Sequence, residues 1–149
     1  MRMLIQRVRR ASVEVENRTV GKINRGFLVL VGFNKEDTEA LLPKMVDKCL
    51  NLRIFEDEQG KMNLSLLDFK GELLIVSQFT LYANCKKGRR PSFDNSMPPI
   101  EAERLYALTL EQFHRSGVKV ESGVFAARMN VSLVNDGPVT IMIDSDELN

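Results

Sequence analysis

Residues 26–33 read GFLVLVGF, an unbroken apolar run bounded by glycines. Such a run cannot alternate between core and solvent, so it is a strand buried on both faces. Whatever fold this chain adopts has to cover that strand twice. Most of the surrounding sequence supplies further strands. MLIQRV reads as one, SVEVE follows with apolar–polar alternation, and TVGKI is a short third. GELLIVSQFTLYA reads as a long strand, apolar until Ser77-Gln78, and VKVES as another. In FAARMNVSLVNDG the residues Phe125, Ala127, Met129, Val131 and Leu133 share one face, and VTIMID closes a hairpin on the Asp136-Gly137 turn.

Two stretches change to a helical period. DTEALLPKMVDKCLNL has Asp37 or Thr38 as its N-cap, and Pro43 makes the helix start late or kink. PIEAERLYALTLEQFHRSG has Pro99 in its first turn and Gly117 as C-terminal cap. RIFEDEQGKMNLS is two short extended pieces around a turn at Gln59-Gly60. With no linker, repeat or low-complexity tract, residues 1–149 form one domain. The expected class is α+β: a strand-rich, mostly antiparallel sheet, rolled or packed with two main helices.

Composition removes several function classes. Apolar residues at 44% and charged residues at 28% are ordinary for a soluble globular protein. No apolar run has the length of a membrane span, and arginines interrupt the N-terminus where a signal peptide needs an apolar core. A cytoplasmic protein is the expectation. His114 is the single histidine, and Cys49 and Cys85 form no CxxC pair, so no metal or other cofactor is expected. His114, late in a helix, reads as a surface residue. A Ser-His-Asp arrangement is therefore poorly supported.

Three features remain as candidate chemistry. Ser77, Gln78 and Thr80 put polar groups where a buried strand should stay apolar. They either mark the strand leaving the core or present hydroxyl, amide and backbone donors to a small polar substrate. Lys86, Lys87, Arg89 and Arg90 crowd one loop of a chain whose net charge is only +1, as a solvated loop or as a phosphate contact. Pro138, directly after Gly137, withdraws a backbone donor where the returning strand should begin to pair. Gly137-Pro138 is a plain turn or a rigid polar element at the hairpin tip. X-Pro bonds are mostly trans, and the sequence by itself favours trans here.

The segments IQRVRRASVEV, SQFTLY, KKGRRPSF and FAARMNVSLVNDGPVT occur in order, and together they resemble the D-aminoacyl-tRNA deacylases, also called D-tyrosyl-tRNA deacylases, over nearly the whole chain. The resemblance implies an editing hydrolase for the ester between a D-amino acid and the 3′-terminal adenosine of tRNA. It implies a homodimer in which Gly137-Pro138, in cis, enters the partner's site and excludes L side chains. Mischarged glycyl-tRNA would be cleaved too. Ser77, Gln78, Phe79 and Thr80 become the catalytic strand, with the Phe79 or Thr80 amide on the oxyanion and the ribose 2′-OH assisting. Arg7 orients the Gly-Pro element, Phe125 and Met129 lie near the adenosine, and the basic loop contacts the acceptor stem. Arg128 stands where many relatives have an acid, on the face opposite Phe125 and Met129 in the expected strand. The competing readings are a non-catalytic RNA-binding module and an esterase with Thr80 as nucleophile.

Overall fold

The computed structural model describes residues 1–148. Its longest early element is β1 (Arg2–Val15), which joins MLIQRV and SVEVE into one strand. β2 (Arg18–Ile23) and β3 (Gly26–Gly32) lie antiparallel along one edge of β1, and β8 (Asn130–Asp144) lies antiparallel along the other. β6 (Glu72–Ser77) continues from β3 in parallel, and β7 (Val120–Ser122) continues in parallel from β6. The sheet is therefore mixed: antiparallel around β1 and parallel beyond β3. It curls until β2 approaches β7. A Cβ on Gly21 would lie 2.8 Å from the Ser122 carbonyl oxygen, so only glycine permits that near-closure into a barrel.

The doubly buried strand is β3. Phe27, Val29 and Val31 join Met1, Met3 and Ile5 beneath two helices, α1 (Leu42–Asn51) and α3 (Pro99–Arg115). Leu28 turns to the inside of the curl with Val8, Ala11, Val13, Ile23, Leu74 and Val76. Each of these side chains larger than alanine contributes roughly 1.5–3 kcal/mol by leaving water. Pro43 sits in the first turn of α1, so the helix starts late, after a 3₁₀ turn at Glu39–Leu41. β4 (Phe55–Glu56) and β5 (Met62–Leu64) form a separate small ribbon. A short helix, α2 (Leu66–Phe69), was not expected. Ser65 and Asp68 cap it reciprocally, a pattern visible in SLLD.

Three expectations need correction. GELLIVSQFTLYA is not one strand: β6 stops at Ser77, and Phe79–Tyr82 form a 3₁₀ turn. FAARM is not strand either. Ala126 has φ 60 and the Ala127 amide donates to the Val124 carbonyl, so the chain turns before β8 begins at Asn130. Most consequential, Asp136-Gly137 does not turn a hairpin. Both halves of β8 pair with β1, Thr140 with Gln6 and Asn135 with Val8, so Asp136–Val139 stand opposite Arg7 alone. That segment is a bulge, and β1 is long enough to hold β8 on both sides of it. Asn135 closes its neck, accepting from the Val139 amide at 2.7 Å and donating to the Val139 carbonyl at 3.1 Å. Pro138, with no amide to pair, is accommodated in such a bulge, and the Gly137–Pro138 bond is cis. No helix among the described residues is long and apolar enough to cross a membrane.

Candidate active site

β3 and β6 run parallel and end together, with Val31 beside Ser77. Crevices form beyond the carboxyl ends of parallel strands, and here the chain leaves a cavity of about 640 Å³. Its mouth carries Phe79 and Phe93, edge to face with ring centres 5.0 Å apart. Pro98, Pro99 and Ala102 line it from the start of α3, and Phe125 and Met129 from the segment after β7. The polar side chains in the wall are those of Ser77, Gln78 and Ser96. Among the described residues, no acid, base or thiol lines it.

The turn at the end of β6 is held from several sides. The Gln78 amide extends the ladder by one bond, to the Val31 carbonyl at 2.7 Å. Phe79 and Thr80 then open the 3₁₀ turn, so their amides have no acceptor within it. Ser96 donates its hydroxyl to the Phe79 carbonyl at 3.2 Å. Gly32 packs below. A Cβ there would meet the Gln78 carbonyl oxygen at 2.7 Å and the Leu81 Cβ at 3.1 Å. Arg2 grips the far end: Nη1 donates to the Leu81 carbonyl at 2.9 Å, and the guanidinium carbon lies 4.6 Å from the centre of the Tyr82 ring. Its Nε donates to Asp144 at 2.7 Å. Burial disfavours charge on Asp144, but the Arg2 hydrogen bond and the Asp146 amide outweigh it and hold the carboxyl below the usual range.

Thr80 is exposed, lies outside the cavity lining, and its hydroxyl accepts from the Gln78 side-chain amide. A donor on that oxygen does nothing to activate it as a nucleophile. His114 is exposed on α3, also away from the lining. Phe125 leans on Tyr106, ring centres 5.9 Å apart, and Tyr106 donates to the Ile75 carbonyl at 2.9 Å. Burial pushes that phenol up to about 12. Met129 packs over Gly123, where a Cβ would come within 2.6 Å of its sulfur. Arg128, between two residues of the cavity wall, is exposed and does not line it.

Arg7 and Gly137-Pro138 form a second group, apart from the cavity of their own chain. Arg7 is 6% exposed, donating Nε to the Asp136 carbonyl at 2.8 Å and Nη1 to the Ile54 carbonyl at 2.5 Å. It anchors the bulge immediately before Gly137, while Gly137 and Pro138 are exposed. The basic loop is pinned at its base by paired Asn84 and Ser92 backbones, at 2.8 and 2.9 Å. Lys86, Lys87, Arg89 and Arg90 are all exposed on it, between the two mouth aromatics in sequence. Gly32, Ser96 and Pro98 were not singled out from sequence. Only Gly32, bounding the apolar run, carried a local signal.

The sequence matches the D-Tyr-tRNA(Tyr) deacylase family over residues 4–144. The chain belongs to this family. Members similar to it include the D-aminoacyl-tRNA deacylase of Thermosipho africanus (strain TCF52B), 57% identical over 99% of both chains. That of Aquifex aeolicus (strain VF5) is 55% identical over 99% of this chain and 100% of its own. Among solved structures, one titled c-Myc DNA Unwinding Element Binding Protein superposes with a TM-score of 0.91 at 44% identity, covering 97% of this chain and 98% of its own. Another, titled as a probable eukaryotic D-amino acid tRNA deacylase, shares the fold at a TM-score of 0.84 and 22% identity, over 95% and 97%.

Proposed function

We infer that the chain is a D-aminoacyl-tRNA deacylase that cleaves the ester of a D-amino acid on the 3′-terminal adenosine, working through fixed backbone donors and the substrate's own 2′-OH. One observation carries this mechanism: a cavity of nucleoside size with, among the described residues, no titratable side chain in its wall. A hydrolytic site of that kind has to stabilise developing charge without transferring a proton to itself. The Phe79 and Thr80 amides, immobilised by Gly32, Ser96 and Arg2, suit an ester oxyanion because they need no reorganisation as charge appears. The 2′-OH beside the ester supplies the local proton transfer. Phe125 and Met129 hold the adenine, and Ser77 and Gln78 bind the ribose and amino acid.

Chiral selection belongs to Gly137-Pro138. The pair projects, exposed, from a bulge anchored by Arg7, away from its own cavity, which suits insertion into the cavity of a second copy. There it occupies the space of an L side chain. D residues point away, and glycyl-tRNA has nothing to reject. Lys86, Lys87, Arg89 and Arg90 meet acceptor-stem phosphates. Charged tRNA is met in the cytoplasm, so the enzyme works there.

Incubating the protein with D-tyrosyl-tRNA and L-tyrosyl-tRNA tests the reading: release of D-tyrosine with the L ester intact is expected. A second reading, nucleic-acid binding without turnover, draws on the basic loop and on the neighbour named for DNA binding. tRNA binding with release from neither ester would establish it instead.

A further inference from the structure

Away from the cavity, the wall built by β2, β1 and β8 carries a smaller concavity of about 210 Å³, lined by Arg10, Ser12, Lys22 and Ser132 with apolar neighbours. The register explains why these four converge. Ser12 is the direct partner of Lys22 on one side and of Ser132 on the other, so the three stand in one row across the wall. Directly opposed side chains in such rows have Cβ atoms about 4.5–5.5 Å apart. Arg10 lies two residues back on the same face, opposite Val134, and Ala11 between them is 3% exposed. The neighbouring Arg9 and Arg25 are engaged with the Asp136 carboxylate, at 3.5 and 3.7 Å. Among the described residues, the side chains of Arg10, Ser12, Lys22 and Ser132 have no hydrogen-bond or ion-pair partner. Glu14, two residues beyond Ser12 on the same face, pairs with neither cation.

Two cations held over one hollow repel each other unless an anion lies between them, and hydroxyl donors beside them suit a tetrahedral oxyanion. The hollow also lies close behind the cavity. Val131 lines the cavity, and Ser132, the next residue of β8, lies on the opposite face of the same strand. Among the described residues β8 pairs only with β1, so its other edge is unpaired within this chain.

We infer that this hollow holds a backbone phosphate of the tRNA substrate, upstream of the adenosine in the cavity. The inference rests on the deacylase reading for its ligand. The test uses the full chain in three forms: wild type, Arg10→Gln with Lys22→Gln, and Ser12→Ala with Ser132→Ala. Two quantities are read across a potassium chloride series. One is binding of deacylated tRNA by fluorescence anisotropy. The other is kcat/KM for D-tyrosyl-tRNA relative to D-tyrosyl-adenosine, an ester with no phosphate. Removing the cations lowers the log–log salt slope by roughly 0.7–0.9 for the phosphate lost and cuts the preference for tRNA about tenfold. Removing the hydroxyls lowers the preference less, in the same direction. An unchanged slope and preference overturns the inference. An equal loss on both esters also overturns it, by making the cluster a support of the fold. If wild type hydrolyses neither ester, the deacylase reading fails, while the slope difference in binding still decides whether the hollow takes a phosphate.

Discussion

Ser77, Gln78 and Ser96 are the polar side chains of the cavity wall, and none of them works as a base at neutral pH. Thr80, the residue best suited by type to attack an ester, accepts a hydrogen bond from Gln78 and faces no base. On the proposed mechanism, chemistry at this scale falls to main-chain atoms and to the substrate. Thr80→Ala should lower kcat for D-tyrosyl-tRNA by less than about tenfold, whereas removing a true nucleophile costs orders of magnitude more. A loss of about a thousandfold or more in single-turnover measurements would restore Thr80 to that role. The same absence governs pH. A catalytic side chain titrating near neutrality would bend the profile of kcat/KM between about pH 5 and 8, and a bell there would contradict donors that do not titrate. Cys49 changes nothing in this: it is fully buried, and burial pushes its thiol up to about 12.

At the scale of elements, the 3₁₀ turn at Phe79–Tyr82 depends on a missing side chain. Gly32→Ala would drive a Cβ into the Gln78 carbonyl and the Leu81 side chain, neither of which can give without moving the turn. Overpacking of this kind costs about 1–3 kcal/mol. We expect a lower Tm, and a kcat reduced at least tenfold while tRNA binding by anisotropy is retained. A variant with normal kcat would show that the turn's position does not matter. This turn was only half legible. The apolar run of β3 and the periodicity of Pro99–Arg115 identify their elements because burial repeats along them. SQFTLY offers no such repeat, and its 3₁₀ geometry comes from Gly32, Ser96 and Arg2, far off in sequence. Asp136-Gly137 misled for a related reason. A hairpin tip and a bulge use the same turn residues, and what separates them is whether the flanking strands pair with each other or with β1. Of the residues around the cavity, those within the quoted motifs could be found. Ser96, Met97 and Pro98 enter only when the fold brings their loop to the ends of β3 and β6.

For the whole molecule, the proposed function makes the single chain incomplete as a chiral filter, because its Gly137-Pro138 bulge is exposed and stands apart from its own cavity. Analytical ultracentrifugation across a dilution series should show a pair of chains. Rejection of L-tyrosyl-tRNA should weaken as that pair separates, since each cavity loses the element borrowed from its partner. Unaltered rejection by a species sedimenting as one chain would remove the shared site. The seat beneath the turn has an effect on inheritance as well. Main-chain amides are encoded by every codon except those for proline, so on the proposed mechanism a missense change at Phe79 or Thr80 to any residue but proline leaves in place the group that meets the ester. Truncating Phe125, Met129, Ser77 or Gln78 to alanine would weaken the hold on substrate and leave the donors themselves in place. The vulnerable letters in the gene are those that spell glycine at position 32, where the smallest gain of atoms shifts the turn that carries both amides.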